Sequence, residues 1–382
     1  SPPPDPSFSI EKVNTLAAPK GILHRCELTG MPAQVMLVTP YITLYYASRE
    51  HAANAWDGIM HMIVHVVGAL RKAAPAIGAE ERARQSAEAN ETRIRLISLC
   101  QSEASKACVR SDFHLAIPAA VYALQFLTEA YGEGRIELVQ AHLLLAEANL
   151  GARRFPQAEQ FLTLANWVLV KNPEASDALR STLRRNFGKL YASQGRNEDA
   201  LHQLADDVYH SSLMFGPEHI HTSGGYFEMG VCFFALGRAE AALAFYDKVV
   251  DIWYKTATRL LYAAPGSEEA DKAPSVDDAM RSAGIEMIKE VRRRRAEMVG
   301  DDNIATGEAE YILGLLHQLA GEADRAEDLM GRALEIYKAQ LGEDHHSTRD
   351  VANSIDMLRE LRAEEAAQAE QEVAELAALN AA

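Results

Sequence analysis

Through most of this chain apolar residues recur every three or four positions, as in "VQAHLLLAEANL" (139–150) and "LRRNFGKLYA" (183–192). Such spacing lays one apolar stripe along a helix of 3.6 residues per turn and predicts amphipathic helices. Glycine turns separate the stripes: "YASQGRNEDAL", "FALGRAEAAL" and "QLAGEADRAEDL" each set an alanine five positions after a glycine. Those alanines keep a metre, since Ala200 and Ala242 lie 42 residues apart and Ala326 lies 84 further on. Counting backwards by the same interval from Ala200 reaches Ala158 in "FPQAEQFL" and then Ala116 in "FHLAIPAA".

Two more columns keep the beat. Gly188, Gly230 and Gly314 stand twelve positions before a marker alanine, and Gly132, Gly216 and Gly342 stand sixteen after one. The first column predicts close contact between paired helices, where a larger side chain would push the axes apart. The second predicts helix ends, in "AYGEG", "MFGPEH" and "QLGEDH", closed by a residue with left-handed dihedrals that glycine adopts at little cost. Each unit is thus expected to be a helix hairpin, and the chain an all-α superhelical solenoid. The arrangement resembles the tetratricopeptide repeat (TPR), in the 42-residue form of kinesin light chains. That resemblance implies a stack of helices whose work is holding other polypeptides.

Between Ala242 and Ala326 the metre skips a beat. There "AAPGSEEADKAPSVDD" (263–278) signals a loop and "AMRSAGIEMIKEVRRRRAEMVG" follows as a helix, predicting a degenerate sixth unit with a surface insertion. Arg292 to Arg295 point all round that helix, which suits either a solvated helix end or contact with an acidic partner. After Gly342, Val351, Ile355 and Leu358 are spaced to cover the open end of the stack. Beyond Glu364 alanine and glutamate dominate, which suits a frayed or a partner-induced helix.

Composition narrows the partners. The chain has 382 residues, 48% hydrophobic and 24% charged, enough for a sizeable core in one elongated or two compact domains. A net charge of −16 argues against nucleic acid, anionic membrane and direct charge-driven binding to the acidic microtubule surface. Cys26, Cys100, Cys108 and Cys232 make no CxxC pair, so neither a disulfide framework nor a full zinc set is expected, and a reducing compartment fits. The opening "SPPPDPSFSIEK" reads as a mobile proline-rich arm without a secretory signal, and "MHMIVHVVGAL" (60–70) is too short to cross a bilayer.

One stretch has a different cadence. "RCELTGMPAQVMLVTPYITLYYASREHAANAWDG" (25–58) carries the tight turns and aromatic pair of a small zinc module and resembles the MYND-type finger. That finger binds two metals through eight cysteine or histidine ligands. Laid along its shape, Cys26 and His51 keep donors, whereas Thr29, Leu37, Pro40, Ala47, Met60 and Val64 take the other six positions. Leucine, proline and alanine offer zinc nothing, so no metal is expected, and apolar packing should hold Trp56, Tyr45 and Tyr46. The alternative is a single metal on Cys26, His51 and either His24 or His61.

Taken with "LLLAEANLGARRFPQAEQFL", "RRNFGKLYASQGRNEDALHQLADDVY" and "FGPEHIHTSGGYF", this module resembles the axonemal zinc finger MYND domain-containing family, over residues 18 to about 255. Thr222 to Phe227, "TSGGYF", is the most distinctive match. The resemblance implies a non-catalytic axonemal scaffold of motile cilia and flagella, associated with inner dynein arms and a partner like tetratricopeptide repeat protein 29. It would pass through the cytoplasm before assembly. The alternative is a cytoplasmic TPR adaptor for chaperone-assisted dynein-arm assembly. The expected division is an arm (1–17), a degenerate MYND-like module (18–66), about six repeats (67–345), and a capping helix with tail (346–382).

The same period selects a partner-binding groove along the first helices: Glu147, Arg185, Lys189, Phe227, Val231, Phe234, Tyr311, Leu315 and Gln318. Arg185 and Lys189, one turn apart, would form a positive notch for a carboxylate-bearing segment. No catalytic, cofactor or metal residue is assigned. The chain shows no SET-domain motif, P-loop, GxSxG elbow or HExxH helix, and His219 and His221 in "EHIHT" read as repeat-linker residues, as in "EDHHST".

Overall fold

The computed structural model describes residues 8–14, 23–74, 77–264, 266–267 and 274–381, with only the backbone of 365–366 and 369–381. They group into two compact units, 1–194 and 195–382.

The first unit opens with an antiparallel sheet of β1 (Ser9–Lys12), β2 (Val35–Val38) and β3 (Thr43–Tyr46), in that order. Ile10 faces Leu37 and Leu37 faces Leu44 across it. Because strand side chains alternate between faces, Leu37, Leu44 and Tyr46 all turn inward and are fully buried. β1 corrects the expectation of a mobile arm for residues 9–12: they form an edge strand, and the neighbouring Phe8 ring lies 4.2 Å from Trp56. Residues 1–7 and 15–17 of that arm lie outside the described residues.

α1 (Arg49–Ala55) starts on the Ser48 side chain, which accepts the His51 N–H, and runs through a π-helical turn (Trp56–Met60) into α2 (His61–Lys72). Leu37, Met60 and Val64, at three positions where a MYND finger carries ligands, are buried in one aliphatic core. Trp56 is buried in it too. The two tyrosines add polar contacts that apolar packing alone does not predict. Tyr45 stacks on His24 at 3.8 Å, and the Tyr46 hydroxyl meets that of Tyr122 at 2.7 Å. Burial drives both the Tyr46 and Tyr122 phenols well above their usual range, so the pair stays neutral. Arg71 adds a two-pronged bond to Glu27, at 2.8 and 2.9 Å.

The helices that follow are α3 (Ala79–Val109), α4 (Phe113–Tyr131), α5 (Val139–Gly151), α6 (Phe155–Lys171) and α7 (Asp177–Ser193). α3 packs on α4, and α5 on both α6 and α7. The second unit contains α8 (Asn197–Phe215), α9 (Ile220–Ala235), α10 (Ala239–Tyr262), α11 (Asp278–Val299), α12 (Ile304–Leu319), α13 (Ala323–Leu341) and α14 (His346–Ala381). Among the described residues no helix is long and apolar enough to cross a membrane.

The metre becomes packing. All five marker alanines are fully buried, and Gly284 in α11 takes the column's place between Ala242 and Ala326. A Cβ there would stand 2.5 Å from the Trp253 ring. In the other small column, a Cβ on Gly230 would reach the Tyr246 ring at 2.5 Å, and buried Ala104 and Ala146 continue the column upstream. The cap glycines Gly132, Gly216 and Gly342 have φ of 86°, 97° and 90°, and Gly300 joins them at 98°. Thr222, Thr306 and Thr348 each donate to the carbonyl of the preceding cap glycine, at 2.9, 2.8 and 2.8 Å. His219 and His345 accept the N–H two residues on, so these histidines serve as helix caps.

Where the metre falters, the structure changes in kind. Thr258 occupies the cap column of α10, and a residue with no preference for left-handed dihedrals lets the helix run on to Tyr262. The described part of 263–277 is not helical, and α10 packs directly on both α11 and α12.

Of the arginine run only Arg295 is internal, and Arg293 is exposed. Arg293 pairs with Glu290 and Glu297, while Arg294 bonds Glu290 and lies over the Phe234 ring. Arg292 bonds Glu310 at 2.8 Å, and Arg295 is completely buried, bonded to Asp247 and the Ala305 carbonyl. Neither a solvated helix end nor a partner-binding patch describes a side chain with no exposed surface. At the far end Val351, Ile355 and Leu358 are buried as a cap requires, and the backbone continues as one helix to Ala381.

Candidate functional site

The nine groove candidates divide between the units. In the first, Lys189 lies 3.6 Å from Glu147, because one 42-residue step sets equivalent positions of α5 and α7 side by side. The expected positive notch therefore carries its own carboxylate. Arg185 and Lys189 are both half-buried, and a free cation pair is not what a carboxylate-bearing segment would meet. The interval that selected Lys189 selects Glu147 as well, so this neutralisation was legible in the spacing.

In the second unit several candidates face inward. Leu315 has no exposed surface, and Tyr311 is buried with its hydroxyl 2.8 Å from that of Ser354. Leu315 belongs to the core, contrary to its expected place on a readable surface, whereas Tyr311, held by Ser354 of α14, lines a cavity. Phe227 packs near the Tyr246 ring at 6.4 Å, Phe234 lies beneath Arg294, and Val231 is half-buried. Gln318 accepts from the Tyr262 hydroxyl at 3.4 Å.

A different concavity lies in the same unit. A cavity of about 670 Å³ opens between α10 and α12 and is closed by Tyr337 of α13 and the first turns of α14. Asp247 and Tyr254 come from α10, Glu308 and Tyr311 from α12, and Asp350 from α14. Arg295 ties Asp247 to Glu308 from the buried side, bonding the first and standing 3.5 Å from the second. Partial desolvation raises the Glu308 carboxyl above its ordinary range, with Arg295 opposing. Desolvation also raises the phenols of Tyr254 and Tyr311, with nearby Asp350 adding to both. The sequence signal for this site is the pair Glu308 and Asp350, which share a column; the α10 contribution depends on the broken repeat and has no periodic signature.

Among the described residues no group of three or more potential ligands could hold a metal. The Cys26 sulfur lies 3.9 Å from His51 Nδ1, and a closed zinc site requires four donors.

A tetratricopeptide repeat family model matches residues 312–347, which span most of the α12–α13 hairpin and the turn into α14. Solved structures include the nearly identical TPR-like repeats of a Podosopora anserina protein described as a kinesin light chain. They are 17% identical, covering 53% of this chain and 95% of that one, with a TM-score of 0.29. BtubC (BKLC) from P. vanneervenii is 15% identical, covering 78% and 92%, with a TM-score of 0.35. A Rap protein complexed with competence and sporulation factor is 13% identical, covering 82% and 76%, with a TM-score of 0.44. The chain is a mostly helical protein of TPR-like repeats with a small N-terminal sheet.

Proposed function

We propose that this TPR-repeat protein, whose repeats mediate protein–protein interaction, is a non-catalytic scaffold of the axoneme in motile cilia and flagella. The observation that carries the scaffold reading is the use of the repeat columns. Alanine, glycine and threonine at fixed intervals are spent on packing and capping helices, leaving the variable positions of each hairpin to meet partners. Support for the axonemal assignment comes from the resemblance of residues 18 to about 255 to the MYND–TPR family. The aliphatic core at Leu37, Met60 and Val64 is compatible with a MYND-like module that has given up its zinc. In this reading the partners are a protein like tetratricopeptide repeat protein 29 and components of inner dynein arms. Buried charge and net acidity make attachment through proteins more favourable than direct adsorption to tubulin.

Fractionation of motile cilia carrying the tagged chain tests this. Retention on isolated axonemes after a high-salt wash, with co-purification of inner-arm dynein subunits, is the expected result. A wholly detergent-soluble pool would instead favour the cytoplasmic assembly adaptor.

A further inference from the structure

The cavity between α10 and α12 has a chemistry opposite to that of the expected positive notch. We infer that it seats a lysine or arginine side chain presented by a flexible, basic segment of a partner protein. This rests on the reading of the chain as a protein-binding scaffold and not on the axonemal assignment.

Three observations converge. The first is shape. α10 packs against α12, and the space of about 670 Å³ beside them has room for a long side chain together with a short stretch of the segment that carries it. The second is the aromatic wall. The Tyr254 and Tyr311 rings lie 6.2 Å apart at 47°, and Tyr254 is the more open of the two, so a cation entering the cavity meets a π face. The third is unbalanced charge. Arg295 is shared by Asp247 and Glu308, and Lys255 holds Asp251 at 2.9 Å. No cationic side chain among the described residues pairs with the Asp350 carboxylate at the cavity mouth. One guanidinium cannot neutralise Asp247, Glu308 and Asp350 together, so an incoming ammonium or guanidinium completes the set. The protein's net charge of −16 steers the same class of partner and disfavours a second copy of this chain as occupant.

The test measures fluorescence anisotropy of a labelled peptide of alternating lysine and serine on the full chain. Its lysine-acetylated form and a glutamate–serine form are run beside it. The wild-type protein should bind the lysine peptide, and acetylation should weaken binding by about tenfold or more, because it removes the charge and leaves the length. Asp350→Asn and Tyr254→Ala should each weaken binding by about threefold to tenfold. Asp356→Asn, the same charge change on α14 outside the cavity, should leave it unmoved, and circular dichroism should show all three variants folded. Equal loss from Asp356→Asn and Asp350→Asn, or equal affinity for the acetylated peptide, would overturn the assignment. So would displacement by spermine at concentrations equal to the peptide, which would make the site one for free polyamines. Axonemal retention without peptide binding discards only the cavity; peptide binding by a chain that washes off axonemes discards only the axonemal assignment.

Discussion

Two buried basic side chains, one taken from each unit, are accommodated by different physics. His142 on α5 is buried with its Nδ1 unpartnered, stacked 6.1 Å from the Phe161 ring. Desolvation lowers its pKa to about 4, so it sits in the first unit as a neutral imidazole. Arg295 in the second unit is fully buried and cannot shed its proton. Its charge is met by Asp247, Glu308 and the Ala305 carbonyl. A repeat can therefore absorb a titratable base by discharging it, whereas a guanidinium obliges neighbouring helices to supply counter-charges. The second solution is the one that leaves carboxylates lining a cavity.

Truncation of the guanidinium probes that contrast most strongly. Arg295→Ala should destabilise the protein by about 3 kcal/mol or more, from the lost ion pairs and the void, as read by urea denaturation. Arg295→Met should cost clearly less, because it restores volume without the charge. Equal costs would mean that the void contributes nothing and that the lost ion pairs set the whole effect.

For His142 the contrast is in pH. Its folded pKa, about 4, lies below the unfolded value of 6.5, so its contribution is fully present above pH 6.5 and is lost as pH falls towards 4. The loss should approach about 3 kcal/mol at the acid end, and His142→Phe should flatten that part of the profile. An unchanged slope in the variant would assign the acid sensitivity to other groups.

A smaller effect separates the irregular repeat from the regular one that follows it. Gly284→Ala drives a methyl into the rigid Trp253 ring, whereas Gly314→Ala meets mainly the flexible Met330 side chain, each at 2.5 Å. The first should cost about 2 kcal/mol and the second under about 1 kcal/mol, since alanine's helix propensity offsets part of the strain. The smallest change is at the turns. Arg153 takes a φ of 57° in the column where the second unit has Gly195 and Gly237. Arg153→Gly should stabilise by up to about 1 kcal/mol, and Gly195→Ala should destabilise by a similar amount.

Much of the fold was legible because a repeat states the same physical demand several times. Ala116, Ala158, Ala200, Ala242 and Ala326 recur where two helices touch, and Gly132, Gly216 and Gly342 recur where a helix must end left-handed. Leu315 fell on the expected groove column, yet it lies wholly in the core. Periodicity reports which positions are equivalent and cannot report what covers them. Nor could the strand at Ser9–Lys12 be read from a proline-rich opening, because its pairing partner lies more than twenty residues away.

The amino-acid order alone determined the hairpins, their length and their caps, since backbone dihedrals and helix contacts depend on residues a few positions apart. Only the tertiary structure decided that Arg295 is interior, that Lys189 faces Glu147, and that three tyrosines and a set of carboxylates converge on one cavity. Burial and charge balance are set by neighbours brought together across helices, and where one repeat breaks step those neighbours no longer follow from the period.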